Sequence, residues 1–355
     1  MDPRSLFELG DSPVPQTPRS RGVDPRSLFE LGDSPVPQTP ARAEWIRALL
    51  EPGLRSPDLA PGSPSCEVYN GRVRASRPRL FVALDAASVS GGAVARSGDG
   101  YRFASHARMA LPAGALAPSP FAANLARPAE VADALRELAR ELSVGAAPAC
   151  LLLPDGVARL ALVDVPADVT AQQYARFRIV PGLPYPAGEA VIDVMPLGPG
   201  RAVVAAVRRS IVEEYEAAAM RAGITQDRLD LTPLAAIAGL LREPGPRGGL
   251  TVDVVLGDAA LCLAAHEAGT LRVLRNRRRD PGPDEARRLA EEVERTAVLA
   301  GDGAGTRIRV VGPGARGLLT SWRSRGGSAE PGWRSAGPAN GVDAAELPWL
   351  GGAAG

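Results

Sequence analysis

Short apolar runs punctuated by aspartate, glycine and proline begin at Arg79 and recur in two similar series. The first opens on Leu80–Leu84, a continuous apolar run of buried-strand length that ends at Asp85. A second strand is predicted at Ala93–Arg96, a turn at Ser97-Gly98-Asp99-Gly100 and a third strand near Tyr101–Ala107. Pro128–Leu142 places Val131, Leu135, Leu138 and Leu142 on one face behind an initial proline, which predicts an amphipathic helix. Cys150–Leu153 follows as a buried strand. The later series has the same order. Leu250–Val252 leads to Asp253 and a turn; then come a strand at Ala260–Ala265, a turn at Glu267-Ala268-Gly269 and a strand at Leu271–Arg275. A helix over Asp284–Ala300 and a strand at Arg307–Val311 complete it. Asp85 and Asp253 read as equivalent tips of two strand–Asp–turn–strand units, so the sequence predicts a duplicated α/β fold with a cleft between its halves.

The stretch between the two series is patterned differently. Arg159–Val165 alternates, Thr170-x-x-Gln173 forms a capping box that opens a helix, and strands follow at Ala190–Pro196 and Ala202–Val207. Ser210-x-x-Glu213 reads as a second capping box, for a helix stopped by Gly223. The expected organisation is a disordered tail over 1–76, a first lobe over 77–158, an α+β insert over 159–226, a return to the first lobe over 227–248, a second lobe over 249–315 and a loosely ordered region over 316–355, firming at Ala344–Leu350. In the tail, Asp2–Pro18 recurs unchanged as Asp24–Pro40, with one small apolar patch per copy (Leu6-Phe7, Leu28-Phe29) among proline and polar residues. Such a segment buries too little surface to offset its ordering entropy. Its doubling fits a tandem duplication, upstream sequence joined by a misplaced start, or a paired motif that gains affinity for a partner through effective concentration.

Composition narrows the chemistry. All 41 basic residues are arginine. Without lysine there is no Walker A lysine, no kinase strand lysine and no Schiff-base chemistry. His106 and His266 share no metal-ligand spacing, and Cys66, Cys150 and Cys262 form no CxxC pair, so no metal site is expected; Cys150 and Cys262 read as buried apolar residues. A net charge of +1 argues against a nucleic-acid binder. The densest basic run, Arg275 with Arg277–Arg279, has no aromatic beside it for base stacking. It reads as a solvated strand end, with anionic lipid headgroups or a nucleic-acid backbone as the alternatives. No apolar run reaches the length of a membrane span and the N-terminus does not resemble a signal peptide, so a cytoplasmic protein is expected.

The most specific stretches are ARFRIVPGLPYPAGEAVIDV (Ala175–Val194), with its Pro184-Tyr185-Pro186 turn, and VVAAVRRSIVEEYEAAAMRAGI (Val203–Ile224). With the two strand–Asp–turn units they resemble the actin-like ATPase superfamily, and within it the PilM-type proteins of type IV pilus assembly. The resemblance spans about Arg79 to Ala315. It implies a two-lobed, ribonuclease H-like fold with an inserted SHS2-like (1C) subdomain. It also implies a location at the inner face of the cytoplasmic membrane, and a groove near the insert for the N-terminal cytoplasmic segment of an inner-membrane PilN-like partner. In such proteins the insert also packs on neighbouring protomers, so self-association is part of the expectation. Phe177, Pro184, Tyr185 and Pro186 are the candidate contacts, although Phe177 and Tyr185 would equally serve as core residues.

The resemblance further implies a site for ATP and Mg²⁺, with Asp85, Ser88, Ser90, Asp253, Gly257, Gly312 and Gly314 as its residues and Asp85 and Asp253 toward the metal. Its motifs are eroded. Asp-x-Gly-Ser-x-Ser is Asp85-Ala86-Ala87-Ser88-Val89-Ser90, so a Cβ stands where a phosphate approaches. In the second motif the glycine is Val255 and no hydroxyl remains across the turn, while Asp258 sets a carboxylate in the path of a polyphosphate. The adenosine motif is Gly312-Pro313-Gly314-Ala315, with a rigid proline between its glycines. Asp85 and Asp253 would in any case cap strand-end turns well. The expectation is a scaffold with a pseudo-ATPase body. An active ATPase or small-molecule kinase is the contrary reading, and a GspL-like component of type II secretion, whose relatives carry a transmembrane helix, is a third.

Overall fold

The computed structural model describes residues 79–97, 100–143, 149–197, 200–242, 249–301, 305–324 and 328–331. The doubled segment of the tail and Ala344–Leu350 lie outside the described residues. β1 (Arg79–Leu84) pairs antiparallel with β2 (Ser88–Ser97), which pairs antiparallel with β3 (Gly100–Ala110). β2 starts at Ser88, well before the predicted Ala93, because Ser90-Gly91-Gly92 lacks strand-forming side chains and hides the strand. Gly91 is needed there: a Cβ on it would stand 2.4 Å from the Phe81 carbonyl oxygen. α1 (Pro128–Leu142) buries Val131, Leu135, Leu138 and Leu142 as its periodicity predicts. β4 (Ala149–Leu153), buried at every position, then runs parallel to β1.

A single 3-10 turn, Asp155–Val157, leads from β4 into the inserted module. The module comprises β5 (Ala158–Asp164), α2 (Ala171–Ile179), β6 (Ala190–Pro196) and β7 (Arg201–Arg208), with an antiparallel sheet in the order β5-β7-β6. Thr170 caps α2 by accepting a bond from the Gln173 N–H. Ala175, Ile179, Val194 and Val204 belong to a small core of the module's own. α3 (Arg209–Arg221) follows β7 without a loop, so Arg208 takes the N-cap place, makes no side-chain cap bond, and leaves Ser210 inside the first turn. The capping box expected at Ser210 therefore does not form. α3 packs on α1 as well as on β7: its Ile211, Val212 and Tyr215 enter the core of the first sheet. β8 (Gln226–Leu231) lies parallel to β4 and completes a sheet of order β3-β2-β1-β4-β8.

α4 (Thr232–Arg242) packs on β4 and β8 of this sheet and on β9 (Leu250–Leu256) and β10 (Ala260–Glu267) of the next. The second sheet continues with β11 (Thr270–Arg278), α5 (Glu285–Ala300), β12 (Arg307–Val311), α6 (Ala315–Ser324) and β13 (Glu330–Pro331). Its order, β11-β10-β9-β12-β13, repeats the first sheet strand for strand, with three antiparallel strands followed by two parallel ones. α6 occupies chain expected to be loosely ordered from Arg316. Leu318, Leu319 and Trp322 share one helix face and are buried, a pattern masked by the glycine- and serine-rich sequence that follows. One hydrophobic core runs from Leu80–Leu84 and Leu151 through α4 to Val255, Cys262, Ala264 and Val311 of the second sheet. Cys150 and Cys262 are buried, as their apolar surroundings predict.

Candidate functional site

The two sheets present their β1–β2 and β9–β10 hairpins to each other. In the first, Leu84 pairs with Val89 and the Asp85 N–H donates to the Ser88 carbonyl at 2.9 Å. In the second, Leu256 pairs with Leu261 and the Gly257 N–H donates to the Ala260 carbonyl at 2.8 Å. The structural counterpart of Asp85 is thus Gly257, not Asp253. Asp253 lies in the middle of β9 and is fully buried. This corrects the equivalence drawn from the sequence, and with it the pairing of Asp85 and Asp253 at one metal.

Asp253 has a different task. Its cross-strand neighbour on β12 is Arg309, which donates from Nε to Oδ1 at 2.6 Å and from Nη2 to Oδ2 at 2.8 Å. His266 Nε2 lies 3.0 Å from the same Oδ2. All three side chains are buried. The bonds from His266 and Arg309, together with their charges, outweigh burial and hold the Asp253 carboxyl below the usual carboxylate range.

The hairpin tips touch through a reciprocal pair of bonds. The Asp258 N–H donates to Asp85 Oδ2 at 3.0 Å, and the Ala87 N–H donates to Asp258 Oδ2 at 2.7 Å. Asp85 Oδ1 accepts from its neighbour Ala86 N–H at 2.8 Å. Burial, and then the charge of Asp258, push the Asp85 carboxyl up to about 6. Beneath them Asp155, just after β4, accepts from the Asn276 side chain with Oδ1, while its buried Oδ2 has no hydrogen-bond partner among the described residues. Burial, then Asp85, push Asp155 up to about 7. On the far side of the second hairpin Arg279 donates to the Gly257 carbonyl at 2.7 Å, to the Pro313 carbonyl at 2.8 Å and to Glu285 at 2.6 Å. Its guanidinium ties hairpin tip to glycine loop. Gly312 permits the close approach: a Cβ there would stand 2.1 Å from the Leu256 carbonyl oxygen, and its φ is +112°. Gly314, at φ +82°, leaves room for the Arg279 head.

Of the residues singled out from the sequence, Asp85, Ser88, Gly257, Gly312 and Gly314 gather along this seam. Ser88 is buried and its hydroxyl accepts from Arg108 Nε at 2.9 Å. Ser90 lies along β2 opposite Ala83. Asp155, Arg279 and Asn276 join the seam without having been expected there; Asp155 stands just after a buried strand, as Asp85 does, which was the available signal. Among the described residues no group of three or more His, Cys, Asp or Glu side chains is placed to hold a metal ion. The candidate partner contacts divide. Phe177 is 69% exposed, and Pro184 and Pro186 are exposed, but Tyr185 is buried, its hydroxyl unpartnered and pushed up to about 12 by burial. Tyr185 is thus a buried side chain.

Two matching five-stranded sheets joined at their hairpin tips, with a module inserted after the fourth strand, make this a mixed α/β chain with the duplicated actin-like fold. A chain of the PilM–PilN type IV pilus biogenesis complex matches with a TM-score of 0.59 and 20% identity, over 78% of this chain and 97% of that one. A protein of Bacteroides thetaiotaomicron with an actin-like ATPase fold and unknown function matches at 0.49 and 10% identity, over 72% and 91%. The cytoplasmic domain of EpsL, an inner-membrane component of the type II secretion system of Vibrio cholerae, matches at 0.41 and 14%, over 66% and 82%. No protein-family model and no curated protein matches the sequence. Among the described residues no helix is long and apolar enough to cross a membrane.

Proposed function

We propose that this chain is a docking scaffold of a type IV pilus or related secretion machine, and that its nucleotide cleft is filled by its own side chains. The carrying observation is the Asp258 carboxylate on the Ala87 N–H. In an actin-like cleft the backbone N–H groups of the facing hairpins are where phosphate oxygens would bind. Here a carboxylate of the opposite hairpin takes that role at 2.7 Å. Arg279 fills the other end by bridging Gly257 and Pro313. A polyphosphate would have to break these bonds and then sit among Asp85, Asp155 and Asp258. The residues present therefore do not fit Mg-ATP, and no hydrolytic step is assigned to them.

The likeness to a chain of the PilM–PilN complex supports the choice of machine. On this reading the three-stranded module is the SHS2-like subdomain and exposed Phe177 marks a face that meets partners or neighbouring protomers. The partner is the N-terminal cytoplasmic segment of a PilN-like inner-membrane protein, and the chain works at the cytoplasmic face of that membrane. Thermal unfolding with millimolar Mg-ATP tests the cleft. A ligand at 100 times its Kd adds about 2.7 kcal/mol, a shift of several degrees. The native chain is expected to show no shift beyond the one pyrophosphate alone produces, whereas Asp258→Gly, which frees the Ala87 N–H, is expected to gain one. A shift in the native chain that pyrophosphate does not reproduce overturns the pseudo-ATPase reading. The docking reading is tested by titrating the partner's cytoplasmic segment as a synthetic peptide: no binding, or binding indifferent to both Phe177→Ala and Pro184→Ala, overturns it.

A further inference from the structure

Next to the seam, at the edge of the second sheet, Glu292 of α5 receives three guanidinium groups. Arg295 Nη1 lies at 2.9 Å, Arg275 Nη2 at 3.1 Å and Arg277 Nε at 3.3 Å. The neighbouring acids do not relieve this excess, because each is taken by another cation: Glu285 by Arg279, Glu291 by Arg287 and Asp280 by Arg288. The Arg278 side chain has no ion pair or hydrogen bond among the described residues. Three cations thus share one carboxylate, with exposed Arg278 next to Arg277 at the end of β11. Burial and the neighbouring Arg277 hold Arg275 below the usual guanidinium range, a sign that positive charge is crowded here.

Arg277, Arg278, Arg295 and Glu292 line a cavity of about 260 Å³ between the end of β11 and α5, with the ion-paired Asp280, Glu285 and Glu291 also in its wall. Leu256, Leu261 and Leu289, all buried, form its apolar floor. Arg277, Arg278 and Arg295 are exposed at its walls, so their heads can turn toward a ligand. We propose that this cavity binds a phosphate group, carried by a soluble phosphate ester or by a phospholipid headgroup. A phosphate brings up to two negative charges on oxygens that several arginine forks can engage at once. A single carboxylate would leave most of the excess uncompensated. The cavity is also smaller than the 300 Å³ or so at which sites for drug-sized ligands begin, which suits a compact head group better than a peptide. The apolar floor accepts the ester's carbon side.

The test uses the whole chain with two probes: pyrophosphate followed by calorimetry, and flotation with vesicles of phosphatidylglycerol in phosphatidylcholine. Arg278→Glu and Arg295→Glu change exposed side chains that make no core contact. Each is expected to weaken binding about tenfold or more, as loss of charge-assisted hydrogen bonds does. Arg136→Glu, an exposed reversal on α1, is the control and is expected to bind like the native chain. Pyrophosphate binding without flotation assigns a soluble ester. Flotation lost in the two variants assigns a headgroup. The proposal is overturned if neither probe binds, if the two variants bind as well as the native chain, or if Arg136→Glu weakens binding equally, which would reduce the effect to general charge.

Discussion

Asp155→Asn offers a direct test of the electrostatics under the cleft. Asp155 is buried, its Oδ2 lacks a partner among the described residues, and its carboxyl is pushed from the usual 3.8 up to about 7. Between those values the folded chain holds a proton that the unfolded chain has released. Stability attributable to this group therefore falls as pH rises from about 4 to about 7, and is level above. The gap between the two values corresponds to about 4 kcal/mol of ionisation cost carried by the fold at pH 8, and to somewhat under 2 kcal/mol at pH 5. Asparagine keeps an oxygen to accept from Asn276 but cannot ionise. Its amide leaves a buried donor unpaired, at about 1 to 3 kcal/mol, equally at both pH values. Urea unfolding of both proteins at pH 5 and pH 8 separates the terms: the variant's stability relative to the native chain is expected to improve by about 2 to 3 kcal/mol between the lower and the higher pH. A difference that stays flat across that interval would mean that Asp155 ionises normally in the fold, and the account of the seam as a desolvated acidic cluster would be wrong.

Arg309→Met strands the Asp253 carboxylate in the second sheet and is expected to cost about 3 to 5 kcal/mol, whereas Asp253→Val with Arg309→Met together recovers most of it; denaturant midpoints decide, and a single-variant cost under about 1 kcal/mol refutes a buried pair. Gly312→Ala drives a Cβ against the Leu256 carbonyl oxygen at a positive φ and is expected to lower stability by at least about 2 kcal/mol. Gly317→Ala in α6, where nothing lies within 4 Å, is expected to be neutral or mildly stabilising in the same thermal-unfolding series.

Periodicity carried most of the architecture. The apolar spacing of Pro128–Leu142 and the five buried residues of Ala149–Leu153 are legible because nothing in those segments competes with the pattern. The misreading of Asp253 has a physical cause: an aspartate after Leu250-Thr251-Val252 looks the same whether it ends a strand or is neutralised inside one. The deciding clue was Arg309, a cation within the otherwise apolar Ile308–Val311, which needs a buried acid as partner. β2 was shortened because Gly91 has no side chain to signal a strand, although its lack of one is what that strand requires. At the seam, Asp85 and Asp258 are readable as local chemistry, but their reciprocal bonding joins residues 173 positions apart and only the folded chain brings it into view.

α4 belongs to both halves, and the apolar side chains around it do not divide into two sets. Neither half could be produced alone without presenting a bare hydrophobic wall, so duplication has here yielded a single cooperative body with no natural cut. The β5–β7 module keeps a small interior on one face of its sheet, but Leu160, Met195, Val203, Ala205 and Val207 on the other face belong to the shared core, so the module too must vary in concert with the twin sheets.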